Sequence, residues 1–146
     1  MSIREADIAD IPAMHRIRLT VKENVLRNPL AVQGADYEPY LSLPNSGWVC
    51  ESANQIVGFS IVNVAGNELW ALFIDPAFEG KGIGGGLHDI LVNGFFTQSS
   101  VELMFGTEAG TRAEKFYTQK GWAASGQKTN GEIIFKMQRK DLFLST

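Results

Sequence analysis

The stretch that decides the fold is Glu68-Leu69-Trp70-Ala71-Leu72-Phe73-Ile74-Asp75-Pro76-Ala77-Phe78-Glu79-Gly80-Lys81-Gly82-Ile83-Gly84-Gly85-Gly86. Its first part is an apolar run that predicts a strand, and Asp75-Pro76 ends it because proline cannot donate a ladder hydrogen bond. A helix is predicted directly after the glycines, where apolar residues recur at helical spacing: Ile83, Leu87, Ile90, Leu91 and Phe95. A glycine-rich loop therefore joins a strand to a helix.

The segments on either side predict alternating strands and helices. Before the loop we expect a strand over residues 2–6, a helix that begins at Asp10-Ile11-Pro12 and continues through Met14, Ile17, Val21 and Val25, a short helix over Tyr37–Leu43, and strands over Trp48–Glu51 and Ile56–Val64. After it we expect a strand over Val101–Gly106, a helix over Thr111–Lys120 and a hairpin over 123–139. The predicted fold class is α/β (α+β), with a mixed, mostly antiparallel sheet flanked by helices in one domain over residues 1–146.

The composition limits the classes of function. The 146 residues are 45% hydrophobic and 20% charged with a net charge of −3, which is typical of a globular protein and disfavours nucleic acid as a partner. Charged residues within Met1–Asp7 argue against a secretory leader, and the apolar run Leu69–Ile74 is too short to span a membrane. We expect a cytoplasmic protein without a membrane partner, in which the single cysteine, Cys50, is a buried thiol.

The glycine loop is interpreted as a phosphate cradle. Unpaired backbone N–H groups at a helix N-terminus attract anions, and glycine lets a phosphate approach them closely. A simple flexible turn is the alternative. Gly80, Gly82 and Gly85 also satisfy the dinucleotide pattern G-x-G-x-x-G, but a strand meander precedes the loop and Asp75–Glu79 separate the strand from the first glycine.

Two segments resemble the GNAT superfamily of acetyl-CoA-dependent N-acetyltransferases. Leu72–Gly84 is similar to the family's strand and Arg/Gln-x-x-Gly-x-Gly loop, and Thr111–Trp122 is similar to its Ala-x-x-Phe-Tyr-x-x-x-Gly-Phe helix. The resemblance implies a GNAT-like fold, acetyl-CoA as cofactor and transfer of the acetyl group to a primary amine in a ternary complex.

The resemblance also implies roles for individual residues. The pyrophosphate of the cofactor would lie on Gly80, Lys81, Gly82, Ile83, Gly84 and Gly85. The preceding strand would carry a bulge and diverge from its neighbour, so that Leu72, Phe73 and Ile74 pair with the pantetheine arm and one N–H polarises the thioester carbonyl. Tyr117 would protonate the leaving thiolate; a core aromatic is the alternative, and Phe116 is expected to fill that role better.

This chain departs from the family pattern at two positions. Glu79 stands where Arg or Gln is usual, and its carboxylate repels a pyrophosphate unless it points away. Gly110 stands where many members have Asn, and Thr111 or Arg112 is the candidate replacement.

An acceptor amine of pKa about 10.4 must lose a proton before it attacks. Glu68 is the candidate general base, directly or through water, with a solvated glutamate at a strand end as the alternative and Glu108 and Glu51 as further candidates. Neither His15 nor His88 is assigned a role, and no metal is expected.

The acceptor side is expected over the sheet, with these candidate lining residues: Arg18, Glu23, Asn24, Tyr37, Tyr40 and Trp70. The expected partner is a small-molecule or peptide amine. The sequence leaves open whether the protein forms a homodimer. Two other functions stay open: a non-catalytic acyl-CoA-binding or sensing module, and a dinucleotide-binding enzyme.

Overall fold

The computed structural model describes residues 1–21 and 32–141. The strands in these ranges are β1 (Ser2–Glu5), β2 (Gly47–Ser52), β3 (Gln55–Asn63), β4 (Glu68–Ile74), β5 (Leu103–Thr107), β6 (Ala123–Gln127) and β7 (Ile133–Met137). The helices are α1 (Ile11–Thr20), α2 (Glu38–Leu41), α3 (Ile83–Gln98) and α4 (Arg112–Gln119), with short 3-10 turns at Ile8–Asp10, Gly34–Tyr37 and Pro76–Phe78. The predicted order of elements is confirmed.

The described strands form one seven-stranded sheet in the order β1-β2-β3-β4-β5-β7-β6. Neighbouring strands are antiparallel except for β4 and β5, which are parallel. The predicted mixed, mostly antiparallel α/β sheet is therefore confirmed. The parallel step exists because α3 carries the chain from the end of β4 back to the start of β5.

The sheet opens between β4 and β5. Within the described residues these strands share one register position, Glu68 with Met104, and the Met104 amide donates to the Asn67 carbonyl at 2.9 Å. Beyond this point the two strands diverge. On its other side β4 stays paired with β3 as far as Ile74 opposite Gly58.

A β-bulge lies near the start of β4. Ile61 of β3 pairs with Ala71, whereas Val62 pairs with Leu69, so Trp70 is the extra residue on β4. Trp70 and Ala71 consequently pack toward the same face, and Leu69 packs toward the other. Both the bulge and the divergence of β4 match what the resemblance implied.

Each face of the sheet carries its own core. On one face α3 and α4 contribute Leu87, Leu91, Phe95 and Tyr117 to a cluster with residues of the sheet. On the opposite face α1 contributes Met14 and Ile17 to a second cluster. Gly94 allows α3 to lie close to the sheet, since an added Cβ would come within 2.8 Å of the Trp48 ring.

The differences from the predicted elements are at boundaries. The first helix ends at Thr20, and Val21 has an extended backbone (φ −73°, ψ 127°); Val25 lies outside the described residues. The predicted helix over Tyr37–Leu43 is a 3-10 turn followed by the single-turn helix α2. No helix in the described ranges has the length and apolarity that crossing a bilayer requires.

Candidate active site

A pocket of about 320 Å³ lies against the end of β4, beyond the point where β4 pairs with β5. Its wall combines the end of β4, the glycine loop, the first turn of α3, and α4 through Arg112, Ala113, Phe116 and Tyr117. Val21, which follows α1, also lines it. Since Val21 and Phe73 pack with the core on one face and Leu72 and Ile74 with that on the other, the pocket connects both faces of the sheet.

The structure brings the predicted cofactor residues together around this pocket. Its lining includes Leu72, Phe73, Ile74, Gly80, Gly82, Ile83, Gly84 and Gly85. Lys81 is the exception, because its exposed side chain places the ammonium 5.7 Å from the centroid of the Phe78 ring.

The glycine loop sets the N-terminus of α3 against the pocket. Gly82 is the N-cap residue and has a left-handed backbone (φ 81°), a conformation that favours glycine. The Gly86 amide donates to the Gly82 carbonyl at 3.2 Å and begins the helix. The amides before it, those of Ile83, Gly84 and Gly85, have no acceptor within the helix, so they are donors with the positive end of the helix dipole behind them.

Glu79 forms an ion pair across the loop. The Arg112 guanidinium donates to both carboxylate oxygens of Glu79, at 2.9 and 3.0 Å. The negative charge at this unusual position is therefore compensated from α4. Thr111 is also engaged, because its hydroxyl caps α4 by accepting from the Glu114 amide at 3.3 Å.

The backbone of β4 offers donors to the opening. The Asp75 amide donates to the Val57 carbonyl at 2.8 Å, so Asp75 faces β3. Because successive residues of a strand direct their amides to opposite sides, the Phe73 amide also faces β3, whereas those of Leu72 and Ile74 face the opening. The expectation that the Phe73 backbone pairs with a ligand is corrected by this geometry; Phe73 contributes its side chain to the pocket wall.

Tyr117 is both a core residue and part of the pocket wall. It is 3% exposed, and its ring lies 4.5 Å from Phe105 and 5.4 Å from Trp122, measured between centroids. Burial raises the pKa of its hydroxyl well above the usual value. The expectation that Phe116 is the more deeply buried aromatic was wrong: Phe116 is half-buried because it faces the pocket.

Glu68 lies at the other end of β4, at the single register position shared with β5. It is half-buried, and its carboxylate is near enough to Tyr40 to help raise the pKa of that hydroxyl, an effect second to burial. Tyr40 stacks on Trp70 with 4.7 Å between ring centroids. Glu68 therefore lies beside the aromatic residues of the α1 face.

Several predicted acceptor-side residues come together on this face. Arg18 lies over the Trp70 and Phe73 rings, with its guanidinium carbon 4.8 and 5.1 Å from their centroids. Tyr37 is fully buried, and its hydroxyl lies 3.1 Å from Nδ1 of His15. Glu23 and Asn24 lie outside the described residues.

The two further candidates for the base lie elsewhere. Glu51 accepts a hydrogen bond from Arg4 at the β1–β2 side of the sheet. Glu108 is exposed after β5, and its carbonyl accepts from the Thr111 hydroxyl at 2.9 Å. Neither carboxylate joins the aromatic residues around Glu68.

Sequence reasoning missed a buried histidine behind α4. His88 is 3% exposed; its Nε2 accepts from the Trp122 indole at 2.8 Å, and its Nδ1 is 2.8 Å from the Asp89 carboxylate. Burial lowers the pKa of His88, and the Asp89 carboxylate opposes that shift. The pairing of His88 with Trp122 joins α3 to the segment that follows α4. In the sequence, the position of His88 directly after Leu87, on the apolar face of α3, is the feature that indicates its burial.

The chain is similar in sequence to a known protein family. The model of the acetyltransferase (GNAT) domain matches residues 32–140, which is more than half of the chain. The chain belongs to the GNAT acetyltransferase family. The predicted family is thereby confirmed, and acetyl-CoA is the acyl donor of GNAT enzymes. No curated protein matches the chain significantly.

Solved structures support the GNAT fold. The ribosomal-protein-alanine N-acetyltransferase from Brucella melitensis has a TM-score of 0.77 at 23% identity, over 94% of this chain and 99% of that one. The PaiA N-acetyltransferase from Thermoplasma acidophilum, in complex with coenzyme A, has a TM-score of 0.71 at 15% identity, over 94% and 98%. YncA from Salmonella typhimurium, a putative acetyltransferase with acetyl-CoA, has a TM-score of 0.75 at 18% identity, over 94% and 93%.

The pocket fits the family's cofactor. Cβ atoms built on Gly80 or Gly82 would meet no atom within 4 Å, so the loop backbone is open to a ligand. Amides of the first turn of α3 suit a pyrophosphate, and the diverging edge of β4 suits an extended arm with amide groups.

Proposed function

We propose that this GNAT enzyme transfers an acetyl group from acetyl-CoA to a primary amine by direct attack in a ternary complex, as one N-acetyltransferase domain over residues 1–146. The observation that carries the proposal is the shape of the pocket. It runs from the N-terminus of α3, past the free edge of β4 and Tyr117, to the face that holds Glu68 and Arg18. An acetyl donor bound on one face and an amine acceptor bound on the other would meet at the opening.

The cofactor supplies an activated acetyl group as a thioester. The amides of Ile83, Gly84 and Gly85 bind the pyrophosphate in this proposal, and the helix dipole supports them. The free amide of Leu72 or Ile74 donates to the thioester oxygen, on which negative charge develops in the transition state. Such a preorganised donor stabilises the developing oxyanion.

Proton transfers are assigned to two side chains. Glu68, directly or through a water, takes a proton from the acceptor ammonium, because only the neutral amine has a lone pair for attack. Tyr117 holds a proton on its hydroxyl at the other side of the opening and donates it to the leaving thiolate. Burial keeps the tyrosine protonated but also makes its hydroxyl a weaker acid. The same apolar surroundings raise the proton affinity of a thiolate, which offsets that effect.

The test separates an enzyme from a module that only binds acyl-CoA. Acetyl-CoA affinity is measured by calorimetry, and free thiol release is followed with amino acids, polyamines, aminoglycosides and peptides as acceptors. Mass spectrometry of the acceptor then shows whether its amine carries the acetyl group. Binding together with acetylated product supports the proposal. Binding without transfer to any acceptor class would identify a non-catalytic module, and binding of NAD in place of acetyl-CoA would favour a dinucleotide enzyme.

A further inference from the structure

Arg18 lies on the acceptor face, and no carboxylate of the described residues is paired with it. Its Nε and Nη1 atoms are shielded from solvent and have no hydrogen-bond partner among the described residues. Trp70 and Phe73 lie beneath the guanidinium. The Tyr37 hydroxyl is near enough for Arg18 to oppose the rise in the pKa of that hydroxyl that burial causes. Cation–π contacts stabilise the charge in part but leave the donors at Nε and Nη1 without an acceptor in the part of the chain that the structure describes.

Unused donors in such an environment are costly. A guanidinium that loses water without gaining hydrogen bonds is destabilised relative to its solvated form. Two arginines that are more exposed do have carboxylate partners: Arg4 donates to both carboxylate oxygens of Asp10, and Arg112 donates to both of Glu79. Arg18 therefore has the chemistry of a site whose anion comes from a ligand.

The position of Arg18 relates it to the acceptor. Phe73 lies beneath the guanidinium and also lines the pocket, and Val21 follows the same helix into the pocket wall. Along β4 the glycine loop follows Ile74, whereas Arg18 lies over Phe73 and Trp70, on the side toward Glu68. Arg18 is thus next to the pocket through Phe73, on the side away from the glycine loop.

We propose that the acceptor of this enzyme is an amine that also carries a carboxylate or phosphate group, and that Arg18 binds that anion. This inference rests on the proposed function. The amine of such an acceptor points toward Glu68 and the opening, and its anion lies against the guanidinium above Trp70 and Phe73. Charge-assisted hydrogen bonds from arginine then select a zwitterionic acceptor over a plain amine.

The experiment compares matched acceptors that differ only in the anion. Phenylalanine is paired with phenethylamine, and O-phosphoethanolamine with ethanolamine, so that carboxylate and phosphate are tested separately. Binding is measured by calorimetry on the full chain saturated with coenzyme A, and kcat/KM with acetyl-CoA. The variants are Arg18→Met, Arg18→Lys and, as a control of the same chemistry on an exposed position of α1, Arg16→Met.

The wild-type protein is expected to prefer the anionic member of at least one pair by about tenfold or more, the ratio that a charge-assisted hydrogen bond supports. Arg18→Met should remove the preference, Arg18→Lys should retain part of it, and Arg16→Met should leave it unchanged, with acetyl-CoA affinity constant throughout. Equal binding of both members of each pair, or an unchanged preference in folded Arg18→Met, overturns the inference. Failure of acetyl-CoA to bind while the anionic ligands still require Arg18 would reject the proposed function but not the anion site.

Discussion

The Arg112 guanidinium holds both carboxylate oxygens of Glu79, at 2.9 and 3.0 Å, and both residues line the same pocket. The pair places one acidic and one basic group beside the amides that we assign to the pyrophosphate. Both side chains are substantially exposed, at 66% for Arg112 and 36% for Glu79, so their effect on binding should be modest and should weaken with salt.

Removing one partner of this pair should change cofactor affinity in a predictable direction. Arg112→Gln leaves the Glu79 carboxylate uncompensated and is expected to weaken acetyl-CoA binding by about threefold to fivefold. Glu79→Gln should bind as tightly as wild type or slightly more tightly, and the double variant should return close to wild type. Calorimetry at low and high salt checks this. Equal losses in Arg112→Gln and the double variant would mean that Arg112 acts on the cofactor independently of Glu79.

A side chain at Gly84 should block the phosphate site without unfolding the protein. An added Cβ meets only ordinary contacts, at 3.7 Å from Phe116 and 3.8 Å from Ile74. Gly84→Glu should therefore abolish measurable acetyl-CoA binding by filling the site with a carboxylate, whereas Gly84→Ala should fold normally and bind within a few-fold of wild type. Calorimetry with a melting curve for each variant tests both. Gly82 is a poorer choice because its positive φ adds strain to any substitution.

Tyr117→Phe should separate chemistry from packing. The ring remains in the core, so the change in stability should stay within about 1 kcal/mol. Loss of a general acid typically lowers the rate by about 10²- to 10⁴-fold, and kcat should fall in that range while the acetyl-CoA Kd is unchanged. Single-turnover kinetics provide the measurement. A Phe variant with wild-type kcat, where chemistry limits turnover, would assign Tyr117 to the core alone.

Glu68→Gln should lower kcat/KM at neutral pH by about 10²- to 10⁴-fold while leaving acetyl-CoA affinity unchanged. The deficit should shrink as pH approaches the acceptor's own pKa, about 10.4 for an alkyl amine, because more of the amine is then already neutral. Glu108→Gln is the matched control, since Glu108 is exposed and lies off the acceptor face. A deficit that is the same at every pH would exclude proton removal as the role of Glu68.

His88 should make folding stability depend on pH. Burial lowers the folded-state pKa of His88, so the neutral ring that accepts from Trp122 is the favoured form. Its contribution is complete above the usual histidine pKa of about 6.5 and is lost as pH falls from there through the folded-state value. Two charged residues also face the His88 ring: Asp89 raises its pKa and Lys120 lowers it.

Melting temperatures between pH 8 and 5 test this dependence. The wild-type protein should lose more stability on acidification than His88→Gln, which can still accept from the indole. His15→Gln is the control, because His15 is half-buried beside Tyr37 on the opposite face. Parallel curves for the wild type and His88→Gln would show that the histidine stays uncharged or is compensated throughout.

The order of elements followed from the sequence because it depends on local patterns. β3 is rich in β-branched residues, β4 is mostly apolar, and Pro76 marks the end of β4. The apolar positions of α3 recur at helical spacing, and the glycines before them mark the loop. The observed boundaries differ from the predicted ones by a few residues where the same residues can form a turn or a helix, as at Gly34–Tyr37.

The contacts that define the site depend on residues far apart in the chain, which no local pattern reveals. The Glu79–Arg112 pair joins a loop to the start of another helix. The relative burial of Phe116 and Tyr117 depends on the angle at which α4 meets β5 and β7, because adjacent helical residues both lie near its inner face. The stacking of Arg18 over Trp70 depends on the bulge, which turns Trp70 toward α1.

The opening between β4 and β5 also bears on solubility. Besides the outer strands β1 and β6, the sheet has two inner edges where it parts, and each presents backbone groups that a foreign strand would be able to pair with. The inner edges are shielded because helices stand over both faces and the aromatic wall of the pocket narrows the approach. A ligand lying along β4 would cover the free backbone groups of that edge, so we expect the liganded protein to aggregate less readily than the free protein.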